Sequence, residues 1–396
     1  MDYRIQTSSI NASRALYALN WFNIAPGLSY IAHDFNIEIV QLGAMTTAFY
    51  VGLALFQMVG GLLASKIGNR NTAIFGIMVL GAAVMFTGLS QNLVELISSR
   101  FFAGLGSAFF FSPALGLVSE IVPQEKYAFH VGLFNGSFNL GGGIGVIGWS
   151  FLDSAYGWRS PLIMAGALLI AVAIENWFVL RGVNPLNSSM NIGKRAWKVF
   201  KNREIWIFSI VAISAILSET IIGNLFVYYT EKYLHYGSPE ASSLGSIFLL
   251  IGFVGGILGG YVFGKTRRKF ISFLIVSVIV AVMTAMIPLS GSYYYLLALM
   301  ILLGIFTVNG FSMLYSLIVL RTTDRGMVSF SLSIVNFIQN IIGSATPFFF
   351  GIMSHYYGYP ISWETIGIIG IFCTFLIIPV RREFWKERRN GGIATQ

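Results

Sequence analysis

An all-α membrane protein, with twelve transmembrane helices in two pseudo-symmetric halves of six, is the fold class that this 396-residue sequence predicts. Three observations predict it. The chain is 56% apolar and only 10% charged, against about 25% charged in a soluble protein. Its basic residues alternate along the sequence as the loops of a twelve-span protein require, and several of its segments recur half a chain apart. So few charges cannot cover so large an apolar fraction in water, which excludes a soluble enzyme; mean hydropathy is +0.73. Disorder needs the opposite composition, low hydrophobicity with high charge. A single cysteine, Cys373, excludes an internal disulfide and a Cys-rich metal site. Four scattered histidines offer little for a metal centre. No cofactor is expected.

A hydrocarbon core of about 30 Å takes roughly 20 apolar residues as a helix. Hydropathy places spans near 13–33, 39–64, 71–90, 93–118, 127–151, 160–180, 205–230, 240–264, 270–290, 293–320, 327–355 and 362–380. The runs are continuously apolar rather than alternating, which excludes a β-barrel. Span 1 carries Arg14, Asn20, Asn23 and Pro26, so it is no cleavable signal segment. Span 4 carries Arg100, span 6 Glu175, span 7 Glu219, Asn224 and Tyr228, and span 10 Asn309. Spans 5 and 11 each carry two asparagines four residues apart, Asn135 with Asn139 and Asn336 with Asn340. The expected organisation is a six-helix bundle over 1–180, a linker over 181–204, a second bundle over 205–380 and a basic tail over 381–396, with no soluble domain on either side. The linker mixes Trp197, Val199 and Phe200 with Lys194, Arg195, Lys198 and Lys201; a short helix on the membrane surface and a plain connection are both open.

Cytoplasmic loops collect Lys and Arg. With both termini inside, twenty-two of the 25 basic residues fall on the inner face, including Arg4, Arg14, Lys66 and Arg70, the linker, the 265–269 loop and the tail. Arg159 and Lys232 fall outside, and Arg100 lies within a span. A plasma-membrane location with cytoplasmic termini follows. The net charge of +9 then reflects anchors facing anionic lipid rather than a nucleic-acid surface.

The halves resemble each other. Gly60-Gly61 and Lys66 recur as Gly259-Gly260 and Lys265; Gly104 and Phe111-Ser112 as Gly304 and Phe311-Ser312; Asn135 and Asn139 as Asn336 and Asn340; Tyr156-Gly157-Trp158 as Tyr357-Gly358-Tyr359. The offset stays close to 200, and six spans separate the copies, so both share one topology. Two such halves related by an axis along the membrane normal form one large transporter class.

At this point the residues resemble a family. Gly61-x-Leu63-Ala64-Ser65-Lys66-Ile67-Gly68-Asn69-Arg70 is similar to the loop 2–3 signature of the major facilitator superfamily, Gly-x-Leu-Ala-Asp-Arg/Lys-x-Gly-Arg-Arg/Lys. Leu96-x-x-x-Arg100-x-x-Ala103-Gly104-x-Gly106-Ser107-Ala108 resembles its span 4 motif, and Gly157-Trp158-Arg159 before span 6 is also common in it. The resemblance implies secondary active transport by alternating access, with Gly61, Ser65, Lys66, Gly68 and Arg70 as the conformational motif. Two departures matter. Ser65 stands where the family usually has Asp, which alters the charge network closing the inner side. Span 5 is glycine-rich but lacks the Gly-Pro of the proton antiporter motif, which favours a symporter over a proton-coupled exporter of a drug or metabolite; a uniporter is also open.

The family's cavity is lined by spans 1, 4, 7 and 10, so the resemblance and the cost of burying polar groups in lipid select one set: Asn20, Asn23, Arg100, Glu219, Asn224, Tyr228 and Asn309, joined by Asn135, Asn139, Asn336 and Asn340. Arg100 is open to two roles, a bidentate contact with an anionic substrate or organisation of helix packing. Glu219 is open to carrying the coupling proton, to a permanent ion pair or to binding a cationic ligand. Glu175 is expected at the interface. The expected partners are a small organic solute, protons and lipid, with a monomer as the unit. No Walker motif is present, so ATP is not the driver; an intramembrane enzyme or a receptor would need a catalytic set or a sensor domain.

Overall fold

The structure, a computed structural model, describes residues 2–21, 23–24, 27–37, 39–183, 192–322 and 324–375. Pro26, the last residues of the twelfth predicted span and the basic tail lie outside the described residues. Fifteen α-helices follow one another among them: α1 (Tyr3–Trp21), α2 (Leu28–Phe35), α3 (Ile39–Ile67), α4 (Asn69–Leu89), α5 (Leu93–Ile121), α6 (Gln124–Tyr156), α7 (Arg159–Val179), α8 (Ile192–Phe200), α9 (Arg203–Val211), α10 (Ile213–Lys232), α11 (Ser238–Lys265), α12 (Lys269–Ala285), α13 (Tyr293–Arg321), α14 (Val328–Tyr357) and α15 (Tyr359–Phe375).

Eight of the helices are long and apolar enough to cross a membrane, and α9 with α10, bent by 43° around Ala212, makes a ninth. The exceptions have physical causes. α6 is diluted by asparagine and glycine, and α15 has only 17 described residues. α1 is rich in polar residues around its circumference, with Gln6, Ser9, Asn11, Ser13 and Arg14 all buried against protein. Their burial also extends the first span: its helix begins at Tyr3, ten residues before the hydropathy boundary, and a second short helix follows it. Arg14 is therefore not at the inner face, as its charge suggested, but in the middle of α1.

The repeat is visible in the backbone. α6 and α14 end at Gly157 (φ +72°) and Gly358 (φ +83°), a left-handed conformation that glycine adopts without a Cβ penalty. α3 crosses α5 where Gly104 meets the Phe49 carbonyl, and α11 crosses α13 where Gly304 meets the Phe248 carbonyl. Such small residues let helices approach closely where lipid supplies no hydrophobic drive. Within the first half α4 packs on α5 and α7, and α1 on α6; between halves, α6 packs on α11 and α3 on α14.

Contact between the halves is uneven. One face carries the turns with Lys66, Arg70, Lys126, Arg195 and Lys265, and is called here the basic face. Towards it, α5 is buried on every side over 106–118, α13 over 307–318 and α14 over 328–335. A helix buried all round is enclosed by protein rather than lipid. Gly132 and Gly136 there touch the backbone of Phe253 and Gly256. Towards the opposite face, a Cβ on Gly148, Gly223 or Gly351 would meet no atom within 4 Å. The halves are sealed at the basic face, and these three glycines leave open space beside their helices at the other.

Candidate functional site

A cavity of about 90 Å³ lies between the halves, lined by α1, α5 and α6 from one and α10, α13 and α14 from the other. Three waters would fill it, at about 30 Å³ each. Arg14 enters from α1 and is only 6% exposed. Its guanidinium lies 4.4 Å from the ring centre of Phe138, 4.5 Å from Phe111, 4.8 Å from Tyr17 and 5.0 Å from Phe134. Ring faces attract a desolvated cation by about 2 kcal/mol, less than the several kcal/mol that burying the ion costs. Nε and Nη1 of Arg14 have no hydrogen-bond partner. Glu219 faces the same cavity from the second turn of α10, yet among the described residues no ion pair joins it to Arg14; the ion pairs present involve Asp34, Asp324 and Glu204.

Amides complete the wall. The repeated pairs Asn135/Asn139 and Asn336/Asn340 meet here, one pair from each half. Asn135 Nδ2 donates to Ser312 Oγ (3.4 Å), and Asn139 Nδ2 donates to the Asn135 carbonyl (3.3 Å). Tyr315 donates its hydroxyl to Gln339 Oε1 at 2.8 Å. Asn139 Oδ1, Gln339 Nε2 and Asn340 Nδ2 remain unpaired. Buried polar atoms are ordinarily satisfied, so this cluster of unsatisfied atoms around one cavity marks a place for water or a polar ligand. The donors outnumber the acceptors.

Arg100 and its neighbours form a second cluster. Arg100 Nη1 donates to Asn23 Oδ1 at 3.3 Å, Asn23 Nδ2 donates to Asn20 Oδ1 at 3.3 Å, and the guanidinium covers Phe49 at 4.7 Å. Arg100 precedes the cavity residue Phe111 by eleven positions on α5, about 16 Å of helix, and does not line the cavity. Asn309 also lies elsewhere, against Gly259 where α11 meets α13. Asn224 and Tyr228 lie on α10, with side chains outside the described set. Glu175 accepts from Ser9 at 2.7 Å, tying α7 to α1.

The sequence reading missed Arg14, Tyr17, Tyr315 and Gln339. Arg14 had a signal: Gln6, Ser9, Ser13 and Asn20 fall on one helical face, which carries the helix back past the hydropathy edge. Tyr315 and Gln339 had none.

The loop 2–3 motif residues Gly61, Ser65, Lys66, Gly68 and Arg70 lie at the basic face. A Cβ on Gly61 would lie 2.6 Å from Ser333 Cβ and 2.8 Å from the Ser329 carbonyl oxygen, both on α14. Ser65 donates to the Gly61 carbonyl at 3.2 Å. Gly68 turns the chain at φ +93°, Lys66 is exposed, and Arg70 Nη2 donates to the Trp177 carbonyl at 2.6 Å. Asn69 bridges the halves, accepting from Ser329 Oγ at 2.5 Å and donating to Glu120 at 2.8 Å. Arg195 of α8 forms a bidentate pair with Asp324, both bonds 2.6 Å; the guanidinium holds the Asp324 carboxyl below its ordinary pKa. A cleft of about 730 Å³ at this face reaches Gln6 and Tyr127 but shares no lining residue with the central cavity. Gln6 and Arg14 are eight residues apart on α1, about 12 Å.

The sequence profile of the Major Facilitator Superfamily matches residues 10–230 and 208–394. A probable sugar efflux transporter of Helicobacter pylori (strain G27) is 25% identical over 258 residues, 64% of each chain. The 4-hydroxybenzoate transporter PcaK of Pseudomonas putida is 30% identical over 160 residues, 39% of this chain and 34% of that one. The chain thus spans about 64% of the length of the sugar efflux relatives it matches. Among solved structures, the E. coli fucose:proton symporter FucP superposes with a TM-score of 0.77 at 14% identity, over 95% of this chain and 98% of that one. FucP in the outward conformation gives 0.75 with the same coverage. These likenesses establish the fold, and with the profile match over both halves the chain belongs to the major facilitator superfamily.

Proposed function

We propose that the protein is a secondary active transporter that carries a small organic solute across the plasma membrane by alternating access, as a proton-coupled symporter. The observation that carries this reading is the polar cavity built from both halves and sealed towards the basic face. The bundles over 1–180 and 205–380 are the rocking bodies, 181–204 the linker and 381–396 the tail. The basic face is cytoplasmic, by the distribution of Lys and Arg, and the conformation is then closed to the cytoplasm. Glu219 is the proton carrier, since it is the carboxylate in the cavity, and Arg100 with Asn20 and Asn23 lies on the solute's path from outside. Efflux is the second reading, favoured by the sugar efflux relatives.

Purified protein in liposomes tests the reading. Solute accumulation that follows an imposed pH gradient, needs no ATP and collapses with a protonophore is the expected result. Accumulation indifferent to the gradient would leave facilitated diffusion and remove the coupling; product formation without net movement would replace the transporter with an enzyme.

A further inference from the structure

Arg14, Glu219 and the unpaired amides also bear on the class of solute. We propose that it is a small organic carboxylate, held by Arg14 and carried together with one proton on Glu219. The inference rests on the transporter reading and goes beyond it by naming the chemistry. The buried atoms without partners at the cavity are mostly donors: Nε and Nη1 of Arg14, Nδ2 of Asn340 and Nε2 of Gln339, against the single acceptor Asn139 Oδ1. Such a lining suits an acceptor-rich ligand. The free Nε–H and Nη1–H of Arg14 lie on two different edges of the guanidinium, and each can donate a charge-assisted hydrogen bond to a carboxylate oxygen. Four aromatic rings surround that guanidinium, and they leave its Nε and Nη1 unsatisfied because a ring face accepts charge but offers no strong lone pair.

Charge balance supplies the proton. Empty, the cavity holds one cation and one carboxylate and is neutral. The other ionisable groups facing Glu219 are tyrosines, Tyr17 on α1, Tyr50 on α3 and Tyr315 on α13; α6 and α14 contribute only amides. A bound carboxylate would leave one uncompensated negative charge in a site buried between the halves, which is unfavourable. One proton taken by the Glu219 carboxylate restores neutrality, and its release at the far face accompanies release of the anion. A cationic solute would face the free donors of Arg14, and a neutral one would leave the buried charge unused.

The test uses wild-type protein in liposomes with radiolabelled lactate and benzoate, glucose as the neutral comparator and choline as the cation, each corrected for protein-free liposomes. The expected result is lactate or benzoate accumulation approaching about tenfold per unit of pH gradient, the 1:1 limit, unchanged by a potassium–valinomycin potential. Carboxylate uptake that responds to the potential would overturn the one-proton balance. Glucose or choline accumulating in place of the carboxylates would overturn the solute class and leave the transporter standing; no movement of any of the four would overturn both. Arg14→Lys keeps the charge and loses the fork, and raises the KM for the carboxylate about tenfold or more. Lactate-induced thermal stabilisation of the wild type in detergent needs no variant: it is expected to be larger at pH 5 than at pH 8, and a shift equal at both values would contradict the proton's role.

Discussion

Gly61→Ala separates a gate from ordinary packing. The added methyl would stand 2.6 Å from Ser333 Cβ and 2.8 Å from the Ser329 carbonyl oxygen. The carbonyl belongs to helix backbone and cannot swing aside. Overpacking of this kind costs about 1–3 kcal/mol. The contact joins α3 to α14 across the halves at the sealed face, so the cost falls on the sealed conformation and is relieved when the halves part there. A difference of that size changes the ratio of the two conformations by about 5–150-fold. Ser316, buried on α13 within the sealed layer, provides the reporter: Ser316→Cys in a Cys373→Ser background, labelled by a maleimide from the basic side, should react faster by a factor in that range. Gly81→Ala is the comparison. Its methyl would lie 2.8 Å from the Gly166 carbonyl oxygen, in the α4–α7 contact within the first half, and it should lower thermal stability without raising the labelling rate. A Gly61→Ala protein that melts earlier but labels at the parental rate would show that the α3–α14 contact is static, and the reasoning would fail.

Glu219→Gln should abolish accumulation driven by a pH gradient while preserving counterflow exchange, measured in the same liposomes; loss of both would make Glu219 a binding or folding residue. Asp324→Asn tests the tie from the linker helix to the second half. Because Arg195 holds the Asp324 pKa below its unfolded value, the pair's contribution is present above the ordinary carboxylate pKa of about 3.9 and is lost as pH falls through the lowered value. The pair is partly exposed, so the difference in stability between wild type and variant should stay under about 1 kcal/mol, hold constant from pH 7 to 5 and shrink only below pH 4; a difference that vanishes by pH 5 contradicts the pairing. Asn69→Ala removes the bridge between Ser329 and Glu120 and should open the sealed face in the Ser316→Cys labelling assay, whereas an unchanged rate would remove Asn69 from the gate.

The sequence made the helical class legible because lipid forces long apolar runs and leaves charge to the loops. It exposed the pairing of Asn135 and Asn139 with Asn336 and Asn340 because an internal repeat places equivalent residues about one axis. Hydropathy fails where a helix buries polar residues against protein: α1 looked short because Gln6, Ser9, Asn11 and Ser13 are buried against its neighbours, and the same error put Arg14 at the surface. Arg100 was legible as a buried charge, but distance from the cavity is a property of where α5 crosses its neighbours, which no local pattern encodes. Tyr315 and Gln339 meet through a fold contact between α13 and α14 and carry no distinguishing neighbours in sequence.

The account depends on two halves that close one face while opening the other. Spin labels at Lys66 and Arg325, both exposed at the basic face and in opposite halves, report one end; labels at Val94 and Tyr294, exposed at the starts of α5 and α13, report the other. Distance distributions across a range of pH, with and without solute, should show the two separations changing in opposite senses. Separations that stay fixed, or that widen and narrow together, would contradict it.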